Sequence, residues 1–174
     1  MLTLLQRRTT NMDNLLIKVY KNRRLTVTLG VISHILSVLF VASFAMILGA
    51  IIYSEIYSDA AIVAASALVG YVAVSVMRKI IDAPRPYELY SFYEIKPKKK
   101  SGRSFPSRHA YSAFAIATLT FVLSTIFGFL FLALALVICV CRVLTGIHFI
   151  RDVVAGAIIG ILSGVLGIVL IACF

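Results

Sequence analysis

HAYSAFAIATLTFVLSTIFGFLFLALALVICVCR, residues 109–142, is the stretch on which the fold turns. No charged side chain lies between His109 and Arg142. As one helix, the intervening residues would reach roughly 48 Å at 1.5 Å per residue. The hydrocarbon core of a bilayer is only about 30 Å thick. A hairpin resolves the mismatch, with Ser124, Thr125 and Gly128 near the turn. Its arms run over residues 107–125 and 127–146, and its open ends bring His109 and Arg142 back to the same membrane face.

The same reasoning extends outward. Residues 25–53 are uncharged apart from a possible charge on His34, and are long enough to cross with tilt. Residues 60–77 form a second span, rich in small side chains that permit close helix packing. Residues 152–174 form the last, and Glu55 and Asp59 mark a short acidic loop. Between Arg78 and Arg108, Pro84, Pro86, Pro97, Gly102 and Pro106 argue against a continuous helix. The expected fold is all-α, a polytopic membrane bundle of about five transmembrane helices. It divides into a basic amphipathic N-terminal segment, 1–24, and a membrane-embedded domain, 25–174. In the former, Leu15, Leu16, Val19 and Tyr20 suit one face of an interfacial helix beside Arg7, Arg8, Lys18, Lys21, Arg23 and Arg24. A partly ordered basic tail is the even alternative.

Composition agrees. Of 174 residues, 61% are hydrophobic and 14% charged, with mean hydropathy +1.01. Soluble domains sit nearer half apolar and a quarter charged. No cleavable signal peptide is evident after Arg7 and Arg8. Cys139, Cys141 and Cys173 lie in or beside apolar runs, with the wrong spacing for a thiolate metal site and no case for a disulfide framework. The net charge of +10 points to nucleic acid, anionic lipid or a phosphate-bearing substrate. No nucleic-acid module is visible, so the membrane readings lead, with the bilayer as the expected partner. The oligomeric state is not legible.

Polar residues gather in clusters at the helix ends: Arg78, Lys79, Asp82 and Arg85-Pro86; Ser104 and Pro106-Ser107-Arg108-His109; Arg142, His148, Arg151 and Asp152. A basic rim that sets topology explains scattered lysines. It does not explain two histidines and an aspartate beside arginines at membrane depth, where ionisable groups tend to mark function. Phosphoryl transfer fits. Arginine forks grip phosphate oxygens, and the helix start at Ser107 offers free amides. His148 and Asp152 stand four apart, so they share a face if helical. A carboxylate on one imidazole nitrogen fixes the tautomer and leaves the other to attack. His109 can protonate the leaving oxygen. Arginines can stabilise the transition-state charge, so no metal and no cofactor is expected. His34 reads as a packed helix residue.

These motifs resemble those of the type 2 phosphatidic acid phosphatase superfamily, which shares its phosphate site with vanadium haloperoxidases. Its first motif is Lys-x6-Arg-Pro. Here Arg85-Pro86 matches the end, with Arg78 at the lysine position and Lys79 one step later, so either can be the cation. Pro-Ser-Gly-His reads Pro106-Ser107-Arg108-His109, with arginine replacing glycine. Ser-Arg-x5-His-x3-Asp reads Cys141-Arg142, His148 and Asp152. The resemblance implies that His148 forms a phosphohistidine, oriented by Asp152. It implies that His109 is general acid and then the base that activates water. Arg85, Ser107 and Arg142, with Arg78 or Lys79, would bind phosphate; Arg108 is counted with them as a phosphate-binding residue, and its side chain needs room. The family usually has six helices, and five are legible here.

The expected activity is therefore a metal-independent lipid phosphatase acting on a phosphomonoester or pyrophosphate, such as undecaprenyl pyrophosphate, phosphatidylglycerol phosphate or phosphatidic acid. A head-group or phosphoryl transferase would use the same site with an alcohol in place of water. A non-enzymatic transport or scaffold protein would instead line its spans with polar residues. Positive-inside bias favours a cytoplasmic site in the cell membrane.

Overall fold

A computed structural model describes residues 18–19, 22–89 and 102–174. Its regular elements are all helical: α1 (Arg23–Tyr53), α2 (Tyr57–Ile81), the single turn α3 (Pro86–Leu89), α4 (Arg108–Leu119), a 3₁₀ turn (Thr120–Val122), α5 (Thr125–Leu144) and α6 (Ile150–Cys173). Four stretches, Arg23–Tyr53, Tyr57–Leu89, Thr125–Leu144 and Ile150–Cys173, are long and apolar enough to cross a bilayer. Their outward faces leave large apolar side chains exposed, among them Val41, Leu68, Ile126 and Leu162. Such a surface suits lipid, and a helix is one of the two structures that satisfy their backbone there. The chain is a multi-pass membrane helix bundle.

The long uncharged run breaks at the expected hairpin. Helix α4 tightens to 3₁₀ at Thr120, and Ser124 starts α5 by accepting the Phe127 N–H at 3.5 Å. The first arm nevertheless differs from a full span. It holds 12 α-helical residues, about 18 Å of helix. Lipid does not set its length, because it hardly meets lipid: Ala110, Tyr111 and residues 113–120 are all buried. The expected five helices are thus four spanning stretches around a short enclosed one.

Small residues make that enclosure possible. Gly156, Gly160 and Gly164 recur every fourth residue along α6 and face α4. A Cβ at Gly160 would lie 2.5 Å from the Tyr111 carbonyl oxygen, and one at Gly164 2.6 Å from Thr118 Cβ. With no side chain in the way, the two backbones meet, as in small-xxx-small membrane packing. A polar staple crosses the same core. The Tyr111 hydroxyl donates to Ala67 O at 2.7 Å and lies 3.1 Å from Ser163 Oγ, which donates to Ser66 O at 2.7 Å. It ties α2, α4 and α6 together with its polar groups satisfied. Along α1, Thr26, Ser33, Phe40 and Ile47 are buried at seven-residue intervals. Phe40 meets Phe131 of α5 edge-on at 5.1 Å.

This connectivity puts the C-terminal ends of α2 and α5 and the N-terminal ends of α1, α4 and α6 on one side. The segment expected to form an interfacial helix lies almost wholly outside the described residues. All three cysteines are free.

Candidate active site

The site begins where α5 stops. Gly146 takes a left-handed φ of 59°, a conformation that glycine adopts without steric cost at a helix C-terminus. The Arg142 carbonyl then accepts the N–H groups of Ile147 at 3.2 Å and His148 at 3.3 Å. His148 is thereby pinned just beyond the turn that carries Arg142. Two residues later α6 begins. Its third residue, Asp152, reaches back so that Oδ2 accepts the Phe149 N–H at 3.0 Å, the return half of a capping box. The same Oδ2 lies 3.5 Å from His148 Nδ1. Sequence spacing suggested one helical face for this pair. They meet instead across a helix start, with His148 in the preceding turn.

A third group joins them that the sequence did not single out as a site residue. Ser104 Oγ donates to Asp152 Oδ2 and lies 3.3 Å from His148 Nδ1. Ser104 and Asp152 are both 0% exposed, and His148 is 3%. Ser104 and Asp152 stand 48 residues apart, so no local spacing announces their contact. The Nδ1 side of the ring is thus occupied, and Nε2 is the nitrogen left to react. Burial, with help from Arg85 and Arg78, holds the His148 pKa below its ordinary value, against the opposing pull of Asp152. The imidazole is therefore neutral at neutral pH.

The cations come from other helix ends. Arg78, buried at the end of α2, donates through Nη1 to Pro106 O at 2.6 Å and to Ser104 O at 3.2 Å. It clamps the segment containing the cis Phe105–Pro106 bond and so holds Ser104 and Ser107 in place. Lys79 is exposed, one step and about 100° around the helix from Arg78. Arg85 is buried and donates from Nε to Gly102 O at 3.0 Å. Glu88 accepts from Arg85 N at 3.0 Å and Gly102 N at 2.8 Å, joining the two segments. This clasp was also missed, although Pro86 at the first position of α3 and Glu88 at the third make a recognisable helix start.

At the head of α4, Ser107 Oγ accepts the Ala110 N–H at 3.4 Å, while its own N–H donates to Asp152 O at 2.9 Å. Its hydroxyl hydrogen is still available to a ligand. The amides of Arg108 and His109, in the first turn, have no carbonyl within the helix to meet. Arg142 Nε is buried and, among the described residues, has no hydrogen-bond partner. Burial, then the neighbouring Arg142, His148, Arg108 and Arg78, push the His109 pKa down to about 3, so His109 can give up a proton as an acid only once a bound phosphate anion offsets those charges. The structure thus gathers His148, Asp152, His109, Arg78, Arg85, Ser107, Arg108 and Arg142, and leaves Lys79 outward. His34 is exposed on α1. Among the described residues no group of three or more His, Cys, Asp or Glu could hold a metal ion.

From His109 a cavity of about 240 Å³ leads away between α1, α2, α4 and α5, past Arg108, Tyr71, Phe40, Ile116 and Ile138. A second cavity shares Val41, Tyr71, Ser112 and Ile116 with it and continues toward Phe44 and Leu68. The path is apolar beyond its first turn. A buried, neutral imidazole at His148, with His109 and Arg108 nearby at the head of an apolar groove, can take a phosphate joined to a hydrocarbon chain.

Known proteins share this fold. Phosphatidylglycerolphosphate phosphatase of Bacillus subtilis, described as a transmembrane PAP2 type enzyme, superposes with a TM-score of 0.70 at 18% identity, over 99% of this chain and 92% of that one. LpxE of Aquifex aeolicus gives 0.67 at 24% identity, over 94% and 98%. Both likenesses are of fold. In sequence, the bacitracin transport permease protein BcrC of Bacillus licheniformis is 28% identical over 101 residues. That match covers 56% of this chain and half the length of the relative. The model of the PAP2 superfamily matches residues 59–172, which hold every motif named above, and the chain belongs to that superfamily.

Proposed function

We propose that the protein hydrolyses a phosphomonoester or diphosphate of a membrane lipid through a phosphohistidine on His148. One observation carries this reading: a buried imidazole, set on Nδ1 by Asp152 and Ser104, whose backbone amide is held by the carbonyl of Arg142, an arginine with a buried Nε unpaired among the described residues. His148 Nε2 attacks phosphorus while Arg78, Arg85, Arg142 and Ser107 hold the phosphoryl oxygens. His109 protonates the departing oxygen and then removes a proton from the water that cleaves the P–N bond. The positive charge comes from arginine, so turnover proceeds in chelator. Phosphatidylglycerol phosphate, named for one structural neighbour, belongs in the substrate panel with phosphatidic acid and undecaprenyl pyrophosphate.

The test is phosphate release from these lipids by purified protein in detergent with chelator present. Wild type releases inorganic phosphate without an acceptor alcohol. His148→Ala, folded by circular dichroism, loses at least 1,000-fold, on the order of 4 kcal/mol of barrier. A folded variant working at near wild-type rate removes His148 from the chemistry. Activity that requires magnesium removes the metal-independent reading.

The site faces the cytoplasm. Arg23 and Arg24 share its end of the bundle, where no step of the reaction calls for them, while Glu55 and Asp59 lie at the opposite end. Single cysteines placed at positions 96–100 in a background free of native cysteines test this in intact cells. Labelling by a membrane-impermeant thiol reagent would reverse the orientation.

A further inference from the structure

Arg108 stands where the family's second motif has glycine, and the phosphate-holding residues named above already suffice for one phosphoryl group. Its side chain stands near Arg78 and His109, but its hydrogen bond is made elsewhere. It leans across to α2, where Nη1 donates to the Tyr71 hydroxyl at 3.3 Å and the guanidinium lies 5.8 Å from the ring centroid. A stacked arginine keeps donors free for a further partner. Arg108, Tyr71 and His109 together line the mouth of the groove. A cation at the head of an apolar path is costly to keep there unless it meets an anion.

The direction of the reaction says which anion. His109 protonates the leaving oxygen, so the leaving group lies on the His109 side of the scissile phosphorus, the side on which the groove opens. A neutral alcohol leaving group would bring Arg108 nothing to bind, and the phosphodiester of phosphatidylglycerol phosphate lies a whole glycerol unit beyond the scissile phosphorus. A phosphate placed directly after the scissile one would fall beside Arg108, with its hydrocarbon chain running on toward Phe40 and Ile116. We propose that Arg108, held by Tyr71, is a second anion subsite that takes the lipid-proximal phosphate of a lipid diphosphate. This rests on the phosphatase reading above. His148 Nε2 attacks the terminal phosphorus, and the bond to the bridging oxygen breaks. The electron pair stays on that oxygen, stabilised by Arg108 and protonated by His109. The lipid leaves as a monophosphate. Water then cleaves the P–N bond, giving inorganic phosphate and free His148.

Farnesyl diphosphate and farnesyl phosphate, assayed in one detergent, separate the possibilities. The readout is the ratio of their kcat/KM values for the first phosphate released. Wild type favours the diphosphate. Arg108→Gly and Arg108→Gln each lower the ratio at least ten-fold, and Tyr71→Phe lowers it less, because the ring still stacks. An unchanged ratio in a folded Arg108 variant overturns the subsite, whether both rates fall together or neither does. If neither Arg108 variant folds, the wild-type preference and Tyr71→Phe decide: a preference for the monophosphate, or an unchanged ratio in Tyr71→Phe, overturns it. A folded wild type that releases phosphate from neither probe nor any other lipid phosphate overturns the phosphatase reading and the subsite with it.

Discussion

A histidine attacks phosphorus only through a nitrogen that carries no proton, and the surroundings of His148 bear on both of its nitrogens. Burial keeps the ring neutral below the ordinary histidine value of about 6.5. The acid limb of kcat/KM should therefore lie below that value, with activity lost only as pH falls through the depressed pKa. Asp152 Oδ2 divides itself between the Phe149 amide, the Ser104 hydroxyl and His148 Nδ1. Removing the hydroxyl leaves the carboxylate a stronger acceptor for the imidazole, which raises the His148 pKa. Ser104→Ala is expected to lower kcat about ten-fold, the size of one hydrogen bond to a charged group, with KM little changed. Its acid limb should move upward on the same substrate. A fall in kcat without that movement would make Ser104 part of the packing and no more. His148, Asp152 and Arg142 were legible because their spacing lies within one stretch of chain. Ser104 was legible only as one of a polar cluster and without a role, since its partners are set by how α4 and α6 pack.

Packing at the level of helices depends on what is missing from them. Gly160 allows the α6 backbone to meet Tyr111 and Ala115, and these two helices carry Ser107 and His109 at one head and Asp152 at the other. Gly160→Leu must push them apart. It should cost about 2–3 kcal/mol and lower activity more than a stability loss alone explains, because the heads separate with the helices. Gly49 in α1 has nothing within 4 Å of its absent side chain, so Gly49→Ala should stay within about 1 kcal/mol and keep full activity. Thermal unfolding in detergent, paired with phosphate release, compares the two. Equal behaviour would remove the seam from the argument. The hairpin break at Ser124 was readable from length, because an uncharged run of that size cannot stay straight in a bilayer. The brevity of α4 was not. Counting residues against bilayer thickness assumes that lipid surrounds every helix, and this one is surrounded by protein.

For the molecule as a whole, five helix ends meet on one side, and the site arginines, His109, His148 and the head of the groove meet there too. The motifs were readable one by one, and their order along alternating helices was enough to bring them to one face. The groove was not readable, since Phe40, Tyr71 and Ile116 look like any other bundle residues until four helices enclose a space. Its flanks are Val41 on α1 and Leu68 on α2, both exposed on the apolar outer surface. A substrate can therefore slide in sideways and leave its tail among its neighbours. The encounter is then two-dimensional, and dilution in buffer should not matter to it. In proteoliposomes, adding water should leave turnover per enzyme unchanged, while adding inert phospholipid should lower it in proportion to the substrate's mole fraction in the leaflet. Turnover that follows bulk concentration instead would mean that the lipid is first lifted out of the membrane.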